Sequence, residues 1–230
     1  GAGHITRAIA IAKELIVQCD CTITFLGTGL DLYREQIPAP IKVIELPADL
    51  PTNLDTHHLA QRLNHLHYSP LNISGLLYRN SILVEHFKGN PKTICIVDVS
   101  CEITQLARLC GIPTVLIRQH GNRRDLAHQL AYDSAALIIA PYAEEMGSAT
   151  EEGLYKNKVL FSGGFSRFEH NSGQDEEDET CFALIIGKGG SALDEAFVYH
   201  LLKQLPLTCT LHILGELSLE SCKNLVVHGH

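Results

Sequence analysis

Short runs of apolar, mostly β-branched residues alternate along the chain with stretches in which apolar residues recur at helical spacing. The first kind fits strands buried on both faces, and the second fits helices with one apolar stripe. Strands are expected at residues 22–26, 42–46, 93–97, 114–117, 136–140, 159–162, 182–186, 210–214 and 225–227. Helices are expected at 5–17, 56–67, 73–87, 102–110, 123–132, 144–150 and 192–204. Strand and helix in alternation predict an α/β fold of parallel sheets with helices on both faces. The run Ile94-Cys95-Ile96-Val97 is apolar at every position, which predicts a strand inside a sheet rather than at its edge.

The pattern divides into two Rossmann-like halves. Residues 1–165 hold six of the expected strands and form the first domain. Residues 166–180 include Asn171, Ser172, Gly173 and Gln174 followed by an acidic run, which reads as a linker or mobile loop. A strand–glycine–helix rhythm restarts in 181–230, as the beginning of a second domain would. Gly1 opens directly into a glycine-rich turn and helix, although such turns normally join a strand to its helix, so a first strand and much of the second domain are expected to lie outside these residues.

Composition narrows the classes. A formal net charge of -8 with scattered Lys and Arg excludes the usual nucleic-acid binder, which needs clustered cations to neutralise phosphates. The eight cysteines lie mostly within apolar segments and read as buried free thiols of a reducing cytoplasm. Cys19-x-Cys21 lacks the spacing and second pair of a zinc site, and no metal or cofactor is expected. No signal peptide or run long enough to span a bilayer is visible.

Chemistry concentrates at two places. Gly1-Ala2-Gly3-His4-Ile5-Thr6-Arg7 leads into the first helix. Glycines there let a backbone approach a ligand, and the free N–H groups of a first helical turn favour an anion such as a diphosphate. His4 follows directly, where an imidazole can face the same cleft. Asp98 ends the strand Ile94-Cys95-Ile96-Val97, at the carboxyl edge where ligands of open α/β sheets bind. It reads equally as a cap for the next helix or as the carboxylate that orients His4. Arg118, Gln119, His120, Asn122 and Arg123 form a polar cluster after a later strand, read as a solvated loop or an acceptor contact. Gly187, Gly189, Gly190 and Ser191 lack P-loop spacing and read as a strand-to-helix turn with a weaker claim on a donor phosphate.

Gly-x-Gly-His-x-x-Arg at the head of the first helix resembles the amino-terminal signature of GT-B glycosyltransferases related to the peptidoglycan N-acetylglucosaminyltransferase. The order continues loosely through Val97-Asp98, through Leu106-Ala107-Arg108-Leu109-Cys110-Gly111-Ile112-Pro113, and through Ser162-Gly163-Gly164-Phe165. The resemblance implies an acceptor-side and a donor-side Rossmann-like domain, a nucleotide-sugar donor such as a UDP-sugar, and a sugar or lipid-linked acceptor. It further implies inverting transfer with no required metal, His4 as base and Asp98 as its partner. Gly1, Gly3, Arg7, Arg118, Gln119 and Asn122 would then contact substrate, and Gly187, Gly189, Gly190 and Ser191 the donor phosphates. Peripheral contact with the inner membrane face is compatible with it, although no basic amphipathic helix argues for one. Donor contacts of the family lie largely beyond His230, so residues 1–230 alone are expected to transfer little sugar. The alternatives are a non-hydrolysing sugar-nucleotide epimerase and a Rossmann-like binding module without catalysis. An NAD-dependent dehydrogenase fits less well, because the final glycine of G-x-G-x-x-G is absent.

Overall fold

A computed structural model describes residues 2–59, 63–147, 155–165, 180–186, 192–215, 217 and 219–228. The chain divides into two compact units, Ala2–His170 and Asn171–His230.

In the first unit the order is α1 (Ala2–Gln18), β1 (Thr24–Gly27), β2 (Lys42–Glu45), α2 (Ser74–Gly89), β3 (Cys95–Asp98), α3 (Cys101–Leu109), β4 (Thr114–Ile117), α4 (Leu126–Ser134), β5 (Leu137–Ala140) and β6 (Val159–Phe161). In the second it is β7 (Cys181–Ile185), α5 (Glu195–Gln204), β8 (Thr210–Leu214) and β9 (Leu225–His228). Among the described residues the named strands all pair in parallel: β1 with β2, a four-stranded ladder β3-β4-β5-β6, and a three-stranded ladder β7-β8-β9.

Alternating strand residues feed opposite helix layers. In β1 and β2, Phe25 and Val43 meet Ile5, Ile9 and Ala12 of α1, whereas Leu26 and Ile44 meet Leu83 and Phe87 of α2 and Ala107 of α3. Val97, Leu116 and Ile138 pack with Ala131 and Tyr132 of α4. In the second unit Leu211, Ile213 and Leu225 enclose Val198 of α5.

Helix ends follow their caps. The Asp125 side chain accepts the His128 N–H and the Asp194 side chain the Phe197 N–H, so α4 and α5 start later than the spacing alone predicts. The helix expected at 56–67 is absent among the described residues. Instead Leu59 and Leu71 form an isolated antiparallel bridge, and the Glu102 carboxylate accepts the N–H groups of His67 and Tyr68. Of 144–150 the described part is a single 3-10 turn, Glu144–Met146. The expected linker falls mostly outside the described residues. The cysteines are all free, but Cys19, Cys21, Cys181 and Cys222 are exposed, because they lie at element ends and turns rather than in strand centres. Burial pushes the Cys95 thiol up to about 11, and burial with the Glu102 and Asp125 charges pushes Cys101 up to about 12. Both remain protonated near neutral pH.

β3 also departs from expectation. Its apolar run predicts a central strand, yet among the described residues it is the end strand of its ladder, with Ile94 and Ile96 65% and 43% exposed.

Asp55 ties the segment before α2 to that helix. It is buried, accepts the Ser74 N–H at 2.9 Å, and accepts the Thr52 N–H and hydroxyl at 2.8 Å each. The Ser74 backbone bond first, then the Thr52 bonds, hold its carboxyl well below the usual carboxylate range. A depressed folded value means that the carboxylate stabilises the fold fully above the unfolded pKa of about 3.9, and the stabilisation disappears as pH falls through the folded value. Urea unfolding of wild type and Asp55→Asn across acidic pH should therefore show the steeper acid loss in wild type. Parallel slopes in the two proteins would count against this account.

Candidate functional site

α1 places the first site residue. Its alanines and leucine favour helix, and Ile5, Ile9 and Ala12 supply the buried stripe. The glycine turn expected at residues 1–4 is, from Ala2 onward, already the first helical turn; Gly1 lies outside the described residues. The first N–H groups of the helix have no intrahelical acceptor, and the first turn carries no acidic residue to complement the dipole. Gly3 adds no bulk there: nothing lies within 4 Å of where its Cβ would stand.

Asp98 brings a negative charge to this helix end from β3. His4 Nδ1 lies 3.3 Å from Asp98 Oδ2, and Arg7 Nε lies 3.4 Å from the same oxygen. The approaches are in ion-pair range without hydrogen-bond alignment. His4 Nδ1 and both Asp98 oxygens are buried atoms unsatisfied by hydrogen bonds among the described residues. Buried polar atoms are normally paired, and here the pairing is by charge, with His4 and Arg7 both facing one Asp98 oxygen. The His4 side chain is 45% exposed although its Nδ1 is covered, which leaves the Nε2 edge of the ring facing outward.

Asp98 is not the cap of α3. That role belongs to Ser100, whose hydroxyl accepts the Ile103 N–H at 3.3 Å. Between them Val99 has φ 74°, and the Ser100 N–H reaches the Asp98 carbonyl at 3.0 Å, a γ-turn of the strained positive-φ kind. Such backbone costs about 1–3 kcal/mol at a β-branched residue and clusters at functional sites. Val99→Gly should unfold at the same or a higher urea concentration than wild type despite losing a half-buried side chain. A loss of about 2 kcal/mol or more would argue against strain.

The carboxyl edge continues beside Asp98, whose ladder partner is Ile117. Arg118, next in sequence, is buried, with its guanidinium 5.5 Å from the Tyr132 ring centre and 6.0 Å from that of Tyr142. Gln119 accepts a hydrogen bond from Arg123 at 2.9 Å, while Asn122 is exposed. Arg118, Gln119 and Arg123 line a small crevice together with Val99, His128 and Tyr132. Gly187, Gly189, Gly190 and Ser191 lie outside the described residues.

Sequence reasoning passed over His128. It is buried, its Nδ1 is 2.7 Å from Asp125 Oδ2, and its ring meets that of His67 edge to face at 5.1 Å. Burial pushes the Asp125 carboxyl up, but the His128 side-chain and backbone hydrogen bonds outweigh it and hold it below its ordinary value. The available signal was Asp-x-x-His at a helix start, which puts the imidazole beside its own cap. Among the described residues no three His, Cys, Asp or Glu side chains converge as a metal site, and no helix is long and apolar enough to cross a membrane.

No family model matches the sequence, and no curated protein matches it. Among solved structures the chain is similar to Phytolacca americana UGT2 complexed with UDP-2fluoro-glucose and pterostilbene, with a TM-score of 0.65 and 13% identity. The match covers 100% of this chain and 69% of that one. The fold is that of a GT-B glycosyltransferase. At that identity the likeness extends to the α/β architecture and not to membership of the peptidoglycan enzyme's family.

Proposed function

We propose that this protein is a glycosyltransferase that takes a UDP-sugar as donor and a hydroxyl of a sugar or lipid-linked molecule as acceptor. The observation that carries the proposal is the His4–Asp98 contact: a buried Nδ1 on a carboxylate, with the opposite edge of the ring open, at the carboxyl edge of a parallel sheet. The GT-B fold supplies the context, and the UDP-2fluoro-glucose bound to Phytolacca americana UGT2 supports the donor class.

His4 Nε2 removes the proton of the acceptor hydroxyl as its oxygen attacks the anomeric carbon. The bond from that carbon to the diphosphate breaks on the opposite side, so the sugar inverts and UDP leaves with the electron pair. Asp98 holds the Nδ1 side and stabilises the imidazolium that forms. The unpaired N–H groups at the amino end of α1, with Gly3 keeping the approach open, stabilise developing anionic charge without a metal ion. Arg7 holds the Asp98 carboxylate as well as lying near the substrate side. Arg118, Gln119 and Asn122 stand on the acceptor side, where buried Arg118 acts through the crevice wall rather than as a free surface cation.

The test is acceptor-dependent release of UDP from a panel of UDP-sugars by the natural full-length protein. Release that needs both substrates supports the reading, and a protein that releases no UDP with any saccharide or lipid-linked acceptor overturns it. Gly3→Ala sharpens the test. Alanine at an open position in a helix should raise stability by up to about 1 kcal/mol, yet lower transfer if phosphate approaches there. Unchanged transfer would remove Gly3 from the site.

A further inference from the structure

Cations gather at one point of a chain whose net charge is -8. Residues 118–128 hold Arg118, Arg123 and Arg124 against one carboxylate, Asp125. That carboxylate is taken up by His128, whose backbone N–H it accepts at 3.2 Å and whose ring Nδ1 lies 2.7 Å away. Arg123 donates from one terminal nitrogen to Gln119 at 2.9 Å, and its Nε is buried with no hydrogen-bond partner among the described residues. Arg118 is only 4% exposed and is held between the Tyr132 and Tyr142 rings.

Both arginines line one crevice, with Val99, Cys101, His128 and Tyr132 as its other walls. Its space is about 10 Å³, room for one water-sized atom. The crevice stands beside the His4–Asp98 pair. Val99 follows Asp98 directly, and Ile117, the ladder partner of Asp98, precedes Arg118.

We propose that this crevice is an oxyanion subsite, in which one terminal oxygen of a carboxylate or phosphate on the acceptor takes the Arg123 Nε–H with the buried Arg118 charge behind it. Naming the acceptor as the bearer rests on the glycosyltransferase reading above; the binding of an oxyanion does not. A buried donor on a charged group is costly to leave unpaired, so an incoming oxygen gains what the chain itself does not supply. The space admits an oxygen but not a sugar ring, so the anion enters by its tip while the ring stays outside. A neutral hydroxyl could accept the same N–H, but a hydrogen bond between two charged groups is roughly twice as strong, and burial strengthens it further.

Two measurements on the natural full-length protein test this. The first needs no turnover: arginine Nε–H resonances are followed by NMR during titration with glucuronate, glucose 6-phosphate and glucose. One signal, identified by its loss in Arg123→Lys, should shift saturably with an anionic ligand and not with glucose. The tighter of the two anions tells carboxylate from phosphate. Arg124→Gln removes the same charge from an exposed neighbour and should leave the shift in place. No shift with either anion would overturn the subsite, and displacement of the anion by UDP would overturn its assignment to the acceptor. The second measurement reads transfer to acceptors that differ only in one oxyanion. The anionic acceptor should show a KM about 10- to 100-fold lower, an advantage lost in Arg123→Gln and partly restored in Arg123→Lys. Equal KM values with UDP still released would overturn the subsite and leave the glycosyltransferase reading intact. Absence of UDP release with every acceptor would overturn that reading, and the NMR titration would still decide the subsite.

Discussion

His4→Ala should lower the proposed sugar transfer by about 10²- to 10⁴-fold in kcat, the usual contribution of a positioned general base, with little change in donor binding. The size follows from the ring's placement. Asp98 covers Nδ1 and leaves the Nε2 edge open, so in the proposed reaction the imidazole would accept a proton on its outer side while the carboxylate balances the charge it gains. The effect is separable from folding. With 45% of its side chain exposed, His4 contributes little packing, and Tm and the circular dichroism of the variant should match wild type. Asp98→Asn keeps the shape, removes the charge that His4 and Arg7 share, and should lower kcat as well. Turnover by His4→Ala near the wild-type rate would dismiss the base assignment while leaving the fold reading untouched.

Gly75→Ala destabilises the protein, by about 2–3 kcal/mol, although helix propensity alone predicts a gain of about 1 kcal/mol for alanine over glycine. A Cβ at Gly75 would stand 1.9 Å from the carbonyl oxygen of Ala48 and 3.1 Å from its carbonyl carbon. The obstacle is backbone, so no rotamer relieves it. The start of α2 cannot simply back away, because Asp55 holds the Ser74 N–H and Arg79 forms a 2.9 Å ion pair with Asp49. Urea unfolding checks the sign. A more stable Gly75→Ala would show that the Ala48 segment yields freely.

These two positions differ in how far sequence reasoning reaches. His4 was singled out from the sequence because Gly-x-Gly-His-x-x-Arg is a local pattern that sets an imidazole beside the first helical turn. Gly75 was not, since a glycine in a helical run looks like a small loss of propensity, and the atom that forbids a side chain comes from a distant loop. The strands were legible for a local reason: strands buried on both faces must be apolar at nearly every position, and all nine expected runs have a strand among the described residues. Residues 56–67 misled because leucines at helical spacing there serve a different arrangement. Their backbone partners, Leu71 and the Glu102 carboxylate, lie outside the segment.

By itself the sequence determined the α/β class, the parallel strands, the helix stripes and the residue types of the first helical turn, all set by periodicity and local backbone chemistry. Only the tertiary structure decided that His4 and Arg7 share one Asp98 oxygen and that Ser100 rather than Asp98 caps α3. It also decided that Arg118 is buried against two tyrosines, that His128 joins Asp125, and that β3 ends a ladder despite its central-strand sequence. Contacts within a turn or strand are written in neighbouring residues. Contacts between elements depend on how the layers stack, and their short distances come from atoms whose separation along the chain carries no information about their separation in space.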